Sequence, residues 1–136
     1  MSIDLGALNW LAVVVTAVAA YVLGAVYYMA LARPWMAAAN LTREQIEGSD
    51  NKTAYGLAAL ASAIGAVVLA ILIQATGAAN AAEGLLLGLV VGIIVTGVGQ
   101  IPNYAFQFRG AKLFVIDAGY PLLQMLLGGA ILGAWQ

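Results

Sequence analysis

The stretch Glu83–Tyr104, EGLLLGLVVGIIVTGVGQIPNY, decides how the rest of the chain is read. Gly84, Gly88 and Gly92 recur at every fourth position, and Thr96 and Gln100 continue the row. On a helix that spacing puts all five on one face. In water the three glycines would weaken a helix, each costing about 1 kcal/mol relative to alanine. In a bilayer the same row is a flat groove into which another helix presses its backbone. Pro102, Asn103 and Tyr104 then close the stretch with a polar end. It reads as a membrane-spanning helix with a packing surface along its length and a polar patch at one end.

Composition agrees with that reading. Of 136 residues, 64% are hydrophobic and 8% charged, and the mean hydropathy is +0.98. A water-soluble domain carries about 25% charged residues, so this chain has too little charge to coat a solvated surface. Its apolar residues come in blocks long enough to cross a hydrocarbon core of about 30 Å. Cysteine and histidine are both absent. That removes disulfides, thiolate or Ser-His nucleophiles, zinc sites of the usual kind and histidine-ligated haem. No cofactor or metal is expected. Five basic residues with no basic run argue against nucleic acid as a partner.

Four spans are expected, over about residues 7–32, 54–76, 82–105 and 113–135, in a single membrane domain over residues 1–136. The polar lead-in before Trp10 lacks a basic region, so no cleaved signal is expected. The loop at about residues 33–53 is the one long polar stretch. Within it, Thr42 and Gln45 have the spacing of a capping box, which predicts a short helix over Arg43–Glu47 closed by Gly48. Gly77 to Asn80 is a tight connection. The fold class is therefore all-α, a four-helix up-down-up-down transmembrane bundle. Arg33, Arg43 and Lys52 lie between spans one and two, and Arg109 and Lys112 between spans three and four. All five fall on one side, which the positive-inside rule makes cytoplasmic. Both termini are then non-cytoplasmic. Trp10 and Trp135 fall at the outer boundary and Trp35 at the inner one, as an aromatic belt would place them.

The ionisable residue inside a span is Asp117, about one and a half turns into the fourth. Gln100, Asn103 and Tyr104 reach a similar depth on span three. Tyr120 lies one turn from Asp117 on the same face. Tyr27, Tyr28 and Tyr55 lie at the same end of the molecule, and Gln124 lies nearer mid-membrane. Two arrangements compete. In one, Asp117 accepts hydrogen bonds from Asn103, Gln100 or a tyrosine. In the other, it reaches the interface and meets Arg109, Lys112 or Arg33. Pro121 removes the helical donor for the Asp117 carbonyl, and Pro102 does the same for a carbonyl of span three. Gly129 and Gly133 form a second glycine pair at fourth-residue spacing, suited to helix packing with Gly84, Gly88 and Gly92.

Several blocks also look familiar in combination. They are Gly24-Ala25-Val26-Tyr27-Tyr28, Pro34-Trp35-Met36, Leu41-Thr42-Arg43-Glu44-Gln45-Ile46, Ala54-Tyr55-Gly56, Ala82-Glu83-Gly84-Leu85-Leu86-Leu87-Gly88, Leu113-Phe114-Val115-Ile116-Asp117-Ala118-Gly119-Tyr120 and Gly129-Ala130-Ile131-Leu132-Gly133-Ala134-Trp135. In that order they resemble the DUF 1761 family of small bacterial four-helix membrane proteins, a domain of unknown function. The resemblance implies the four-span architecture and a place in the bacterial inner membrane. It implies no activity and no catalytic residue.

Two functions follow from the residues. One is a structural or accessory protein that works by helix packing in the lipid bilayer, in a homo-oligomer or a larger membrane complex. The other is a small oligomeric transporter or channel built on the polar cluster around Asp117. An enzyme is not expected, because no nucleophile, metal site or cofactor motif accompanies Asp117 and Tyr120.

Overall fold

A computed structural model describes residues 2–136. It is all-helical, with no strand among the described residues. Four helical stretches are long and apolar enough to cross a membrane: Trp10–Ala30, Asn51–Thr76, Ala81–Phe106 and Ala111–Ala134. The elements are α1 (Trp10–Ala30), α2 (Ala32–Ala39), α3 (Arg43–Glu47), α4 (Asn51–Thr76), α5 (Ala81–Ile93), α6 (Ile101–Phe106) and α7 (Ala111–Ala134). A π-helical segment, Ile94–Gln100, joins α5 to α6. The polar loop between the first two spans thus holds two short helices, and α4 begins three residues before the expected start of span two.

Local chemistry sets the ends. Asn9 caps α1 by accepting from the Ala12 N–H at 3.1 Å. Thr42 and Gln45 cap α3 reciprocally, side chain to backbone in both directions, and Gly48 ends it. Asp50 caps α4 through the Thr53 N–H at 3.1 Å. The side chain and backbone of Thr53 hold the Asp50 carboxyl below the ordinary aspartate range. At the other end of α4, Gly77 takes the left-handed conformation (φ 72°) that closes the helix. Asn80 caps α5, and Glu83 reaches back over its start. The Glu83 N–H donates to Asn80 at 3.0 Å, and the Ala79 N–H donates to the Glu83 carboxylate at 2.8 Å.

The packing puts small side chains inside and large ones outside. The buried positions include Ala12, Thr16 and Ala20 of α1, and Ser62, Ala66, Leu69, Ala70 and Ile73 of α4. The stripe Val14, Val18, Val22 and Val26 on α1 is more than half exposed, as are Leu57, Leu60 and Ile64 on α4. A protein in water would show the reverse. In lipid, outward valine and leucine cost nothing, and association depends on how closely backbones approach.

The α5–α7 contact is the closest. A Cβ built on Gly84 would lie 2.9 Å from the Gly133 Cα and closer still to the Gly129 carbonyl oxygen. A Cβ on Gly88 would collide with the Met125 carbonyl, and one on Gly92 with the Leu122 side chain. The two glycine rows therefore face each other, with partners descending α7 as α5 ascends. Gly128, on the neighbouring face of α7, sits under Leu69 and Thr16, where a Cβ would meet them at 3.0 and 3.2 Å. α7 is thus in contact with α1, α4 and α5.

The regular glycine row ends at Gly92. Past Ile93 the backbone widens into the π segment, just before Pro102 in the first turn of α6. Pro102 has no N–H to give an upstream carbonyl, and a π turn takes more residues than an α turn. The fourth-residue spacing that linked Gly92 to Thr96 and Gln100 therefore no longer marks a single face. A Cβ at Gly97 or Gly99 would touch nothing within 4 Å.

The chain ends are tied to the bundle. The Asp4 N–H and C=O both bond the Gln74 amide, at 2.9 and 3.0 Å. Gln136 donates to the Ala78 carbonyl.

Candidate functional site

Asp117 lies on α7 and is half-buried. Three donors from three other segments converge on its carboxylate. The Trp35 indole N–H of α2 donates to Oδ1 at 2.8 Å, and the Tyr28 hydroxyl of α1 donates to the same oxygen at 3.2 Å. The Tyr104 hydroxyl of α6 donates to Oδ2. Phe114 packs edge-on against Tyr104 at 5.6 Å, and the Arg109 guanidinium lies 5.5 Å from the Tyr104 ring centre. Arg109 therefore stands against the ring of a residue that donates to Asp117, and among the described residues no basic side chain pairs directly with the carboxylate.

Two further tyrosines complete the knot by bonding to backbone. Tyr27 donates to the Ile116 carbonyl at 2.6 Å, and Tyr120 donates to the Ala20 carbonyl at 2.9 Å. Their rings come close because glycines receive them. Tyr27 lies over Gly119 and Tyr120 over Gly24, where a Cβ would overlap the ring or hydroxyl. Tyr28 stands edge-on to Tyr27 (5.3 Å), Tyr120 (5.8 Å) and Trp35 (6.3 Å). Such pairs add about 0.5–1.5 kcal/mol each beyond the area they bury.

Of the residues singled out from the sequence, Tyr104 and Tyr28 meet Asp117 directly, and Tyr27 and Tyr120 lie in the same aromatic group without bonding it. Asn103 is exposed and bonds back to the Gly99 carbonyl at 3.1 Å. The Gln100 Oε1 is buried and has no hydrogen-bond partner. Gln124 lies against α4, with its Nε2 3.6 Å from where a Cβ on Gly65 would stand. Trp35 occupies the knot instead of serving only as a belt residue. Its sequence signal was its place beside Pro34 in the loop, which does not indicate a partner 82 residues away.

Beside the knot opens a cleft of about 600 Å³, bounded by α1, α2, α3 and the start of α4. Past Ala20 on α1 and before Ser62 on α4, neither helix has a buried residue. Tyr28, Trp35 and Tyr120 form the inner wall, while Met29, Met36 and Tyr55 line the sides. Arg43 and Glu47 stand at the mouth, both exposed. A smaller hollow of about 180 Å³ lies at the opposite end of the bundle, near Gln74 and Trp135. Among the described residues, no group of three or more His, Cys, Asp or Glu side chains comes together as a metal site.

A model of a protein family of unknown function, DUF1761, matches residues 11–133. The match runs from the second residue of α1 to the next-to-last of α7. The chain belongs to the DUF1761 family. No curated protein and no solved structure matches it. The DUF1761 match takes in all the residues of the knot and of the cleft.

Proposed function

We propose that this chain is a multi-pass protein of the bacterial inner membrane that holds an amphiphilic molecule of the bilayer in the cleft beside Asp117. The four spans run up-down-up-down, with both termini non-cytoplasmic and the knot at the cytoplasmic end. Charge placement supports that orientation. Arg43 borders the cleft and Arg109 stacks on Tyr104, so basic residues from both loops gather around the knot.

The observation that carries the binding role is the cleft itself. Its volume of about 600 Å³ lies within the range of small-molecule sites. Its lining is mostly apolar and aromatic, and its inner wall is fixed by the bonds of Tyr28 and Trp35 to Asp117 and of Tyr120 to the Ala20 carbonyl. Such a preorganised wall loses little entropy when a ligand settles on it. A helix-packing accessory role drew on the glycine rows, and α5 and α7 occupy both rows within one chain. A channel drew on Gln100, Asn103, Asp117 and Gln124 lining one path, and Asn103 and Gln124 are turned to different neighbours.

Native mass spectrometry after detergent purification tests the role. Ala58 lines the cleft from α4 and is exposed, so tryptophan there fills the cleft without disturbing the core. Wild type is expected to retain one amphiphile per chain. Ala58→Trp is expected to retain about tenfold less, the equivalent of about 1.4 kcal/mol. Leu60→Trp, on the same helix but outside the cleft, should match wild type. Retention in Ala58→Trp equal to wild type would remove the cleft as the site.

A further inference from the structure

We infer that the cleft takes a phospholipid with a zwitterionic, primary-amine headgroup, its acyl chain against the aromatic wall and its headgroup between Arg43 and Glu47. This rests on the cleft reading above and adds the chemistry of what fills it.

The inner wall is polar in composition but not in what it offers. The Tyr28 hydroxyl and the Trp35 N–H are both committed to Asp117, and the Tyr120 hydroxyl to the Ala20 carbonyl. What remains for a ligand is ring carbon and the hydroxyl lone pairs, with no free donor on these three side chains, and the Met29 and Met36 side chains lie beside them. A phosphate pushed to that depth would lose its water and find no donor on that wall. A hydrocarbon chain loses nothing there.

The mouth has the opposite character. Arg43 and Glu47 are four residues apart on α3, so they share a face, separated by about 6 Å along the axis. α3 is short but held at both ends. The Thr42–Gln45 box fixes its start. The Ile46 carbonyl accepts from the Ser49 hydroxyl at 2.6 Å and the Asn51 amide at 3.1 Å. The two charges are therefore presented from a fixed platform. A guanidinium pairs with phosphate through two parallel hydrogen bonds. A carboxylate one turn away accepts charge-assisted bonds from an ammonium group. A headgroup with phosphate and primary amine joined by a two-carbon link satisfies both. A quaternary ammonium attracts Glu47 but has no N–H to give it, and a glycerol headgroup offers it neutral hydroxyl donors with no positive charge.

The test is a competition in nanodiscs containing equal parts of ethanolamine, choline and glycerol phospholipids with matched acyl chains. Lipid retained by the full chain is read by native mass spectrometry. Wild type is expected to retain the ethanolamine lipid about tenfold over the glycerol lipid, and the choline lipid at an intermediate level. Glu47→Gln should keep total occupancy and lose most of that preference. Arg43→Gln should lower retention of all three. Both residues are exposed, so neither variant endangers folding. Equal retention of the three headgroups by wild type, or a preference unchanged in Glu47→Gln, would overturn the headgroup inference. If Ala58→Trp still emptied the cleft in that case, the cleft reading would stand alone. Equal retention by wild type and Ala58→Trp would remove both.

Discussion

Gly88→Leu is expected to leave no folded chain, and Gly88→Ala to destabilise it by about 3 kcal/mol. A Cβ on Gly88 meets backbone, not the end of a flexible side chain. It would lie 2.8 Å from the Met125 carbonyl carbon, nearer still to its oxygen, and 3.3 Å from the Leu126 Cα. Relief requires moving α7 bodily, and overpacking of this kind costs about 1–3 kcal/mol even where side chains give way. α7 also carries Gly128 against Leu69, so its shift would disturb α4 as well. Against a total stability of about 5–15 kcal/mol for an ordinary domain, the alanine is severe and the leucine prohibitive. Gly97→Ala is the matched control, because nothing lies within 4 Å of its Cβ. It should stay within about 1 kcal/mol of wild type. Reversible unfolding in mixed micelles measures all three. A Gly88→Ala protein as stable as wild type would show that the α5–α7 contact is looser than described.

Asp117→Ala is the second large effect, expected at about 2–4 kcal/mol. The substitution removes the acceptor from three donors on three segments: Tyr28, Trp35 and Tyr104. Hydrogen bonds inside membrane proteins average about 0.6 kcal/mol in cycles, but a donor left without any partner costs about 1–3 kcal/mol. The residual donors are half-buried and can turn partly to water, so the sum falls short of three full penalties. Asp117→Asn keeps the shape and one oxygen but turns an NH₂ towards a group that itself donates. It should recover about half of the loss. Tyr104→Phe removes only the α6 partner and should cost about 1 kcal/mol. The same unfolding assay reads the series. An alanine variant as stable as wild type would mean the three donors are satisfied without the carboxylate.

The four spans were legible because apolar block length and glycine spacing are local properties. The α3 helix was legible for the same reason, since Thr42 and Gln45 are three residues apart and bond each other. The opposing of Gly84 and Gly88 with Gly129 and Met125 was legible only as two separate small-residue rows. Spacing shows that a row packs closely and does not name the partner. The knot was read in part. Depth along antiparallel helices brought Tyr104 near Asp117, but depth alone placed Asn103 and Gln100 there as well. The π segment before Pro102 changes which face these residues occupy, and no fourth-residue count anticipates it. Trp35 was assigned to the interface because tryptophans at span ends usually sit there. Its turn into the bundle depends on α2 packing against α7, a tertiary event with no marker in the residues around Pro34. The cleft was not legible. It lies where α1 past Ala20 and α4 before Ser62 have no buried residue, and both helices stay apolar across that point.

Asp117 gathers Trp35, Tyr28 and Tyr104 into one knot that holds Tyr28 and Trp35 in the wall of the cleft. The most direct measurement is hydrogen exchange at the Trp35 indole N–H, followed by NMR on the chain in lipid nanodiscs. Wild type is expected to give one shifted, slowly exchanging Trp35 signal. In Asp117→Asn it should move and exchange at least tenfold faster, while the Trp10 indole, bonded to the Leu5 carbonyl at 3.0 Å, stays unchanged. A Trp35 indole that exchanges at the same rate in wild type and Asp117→Asn would contradict the knot, and with it the fixed wall of the cleft.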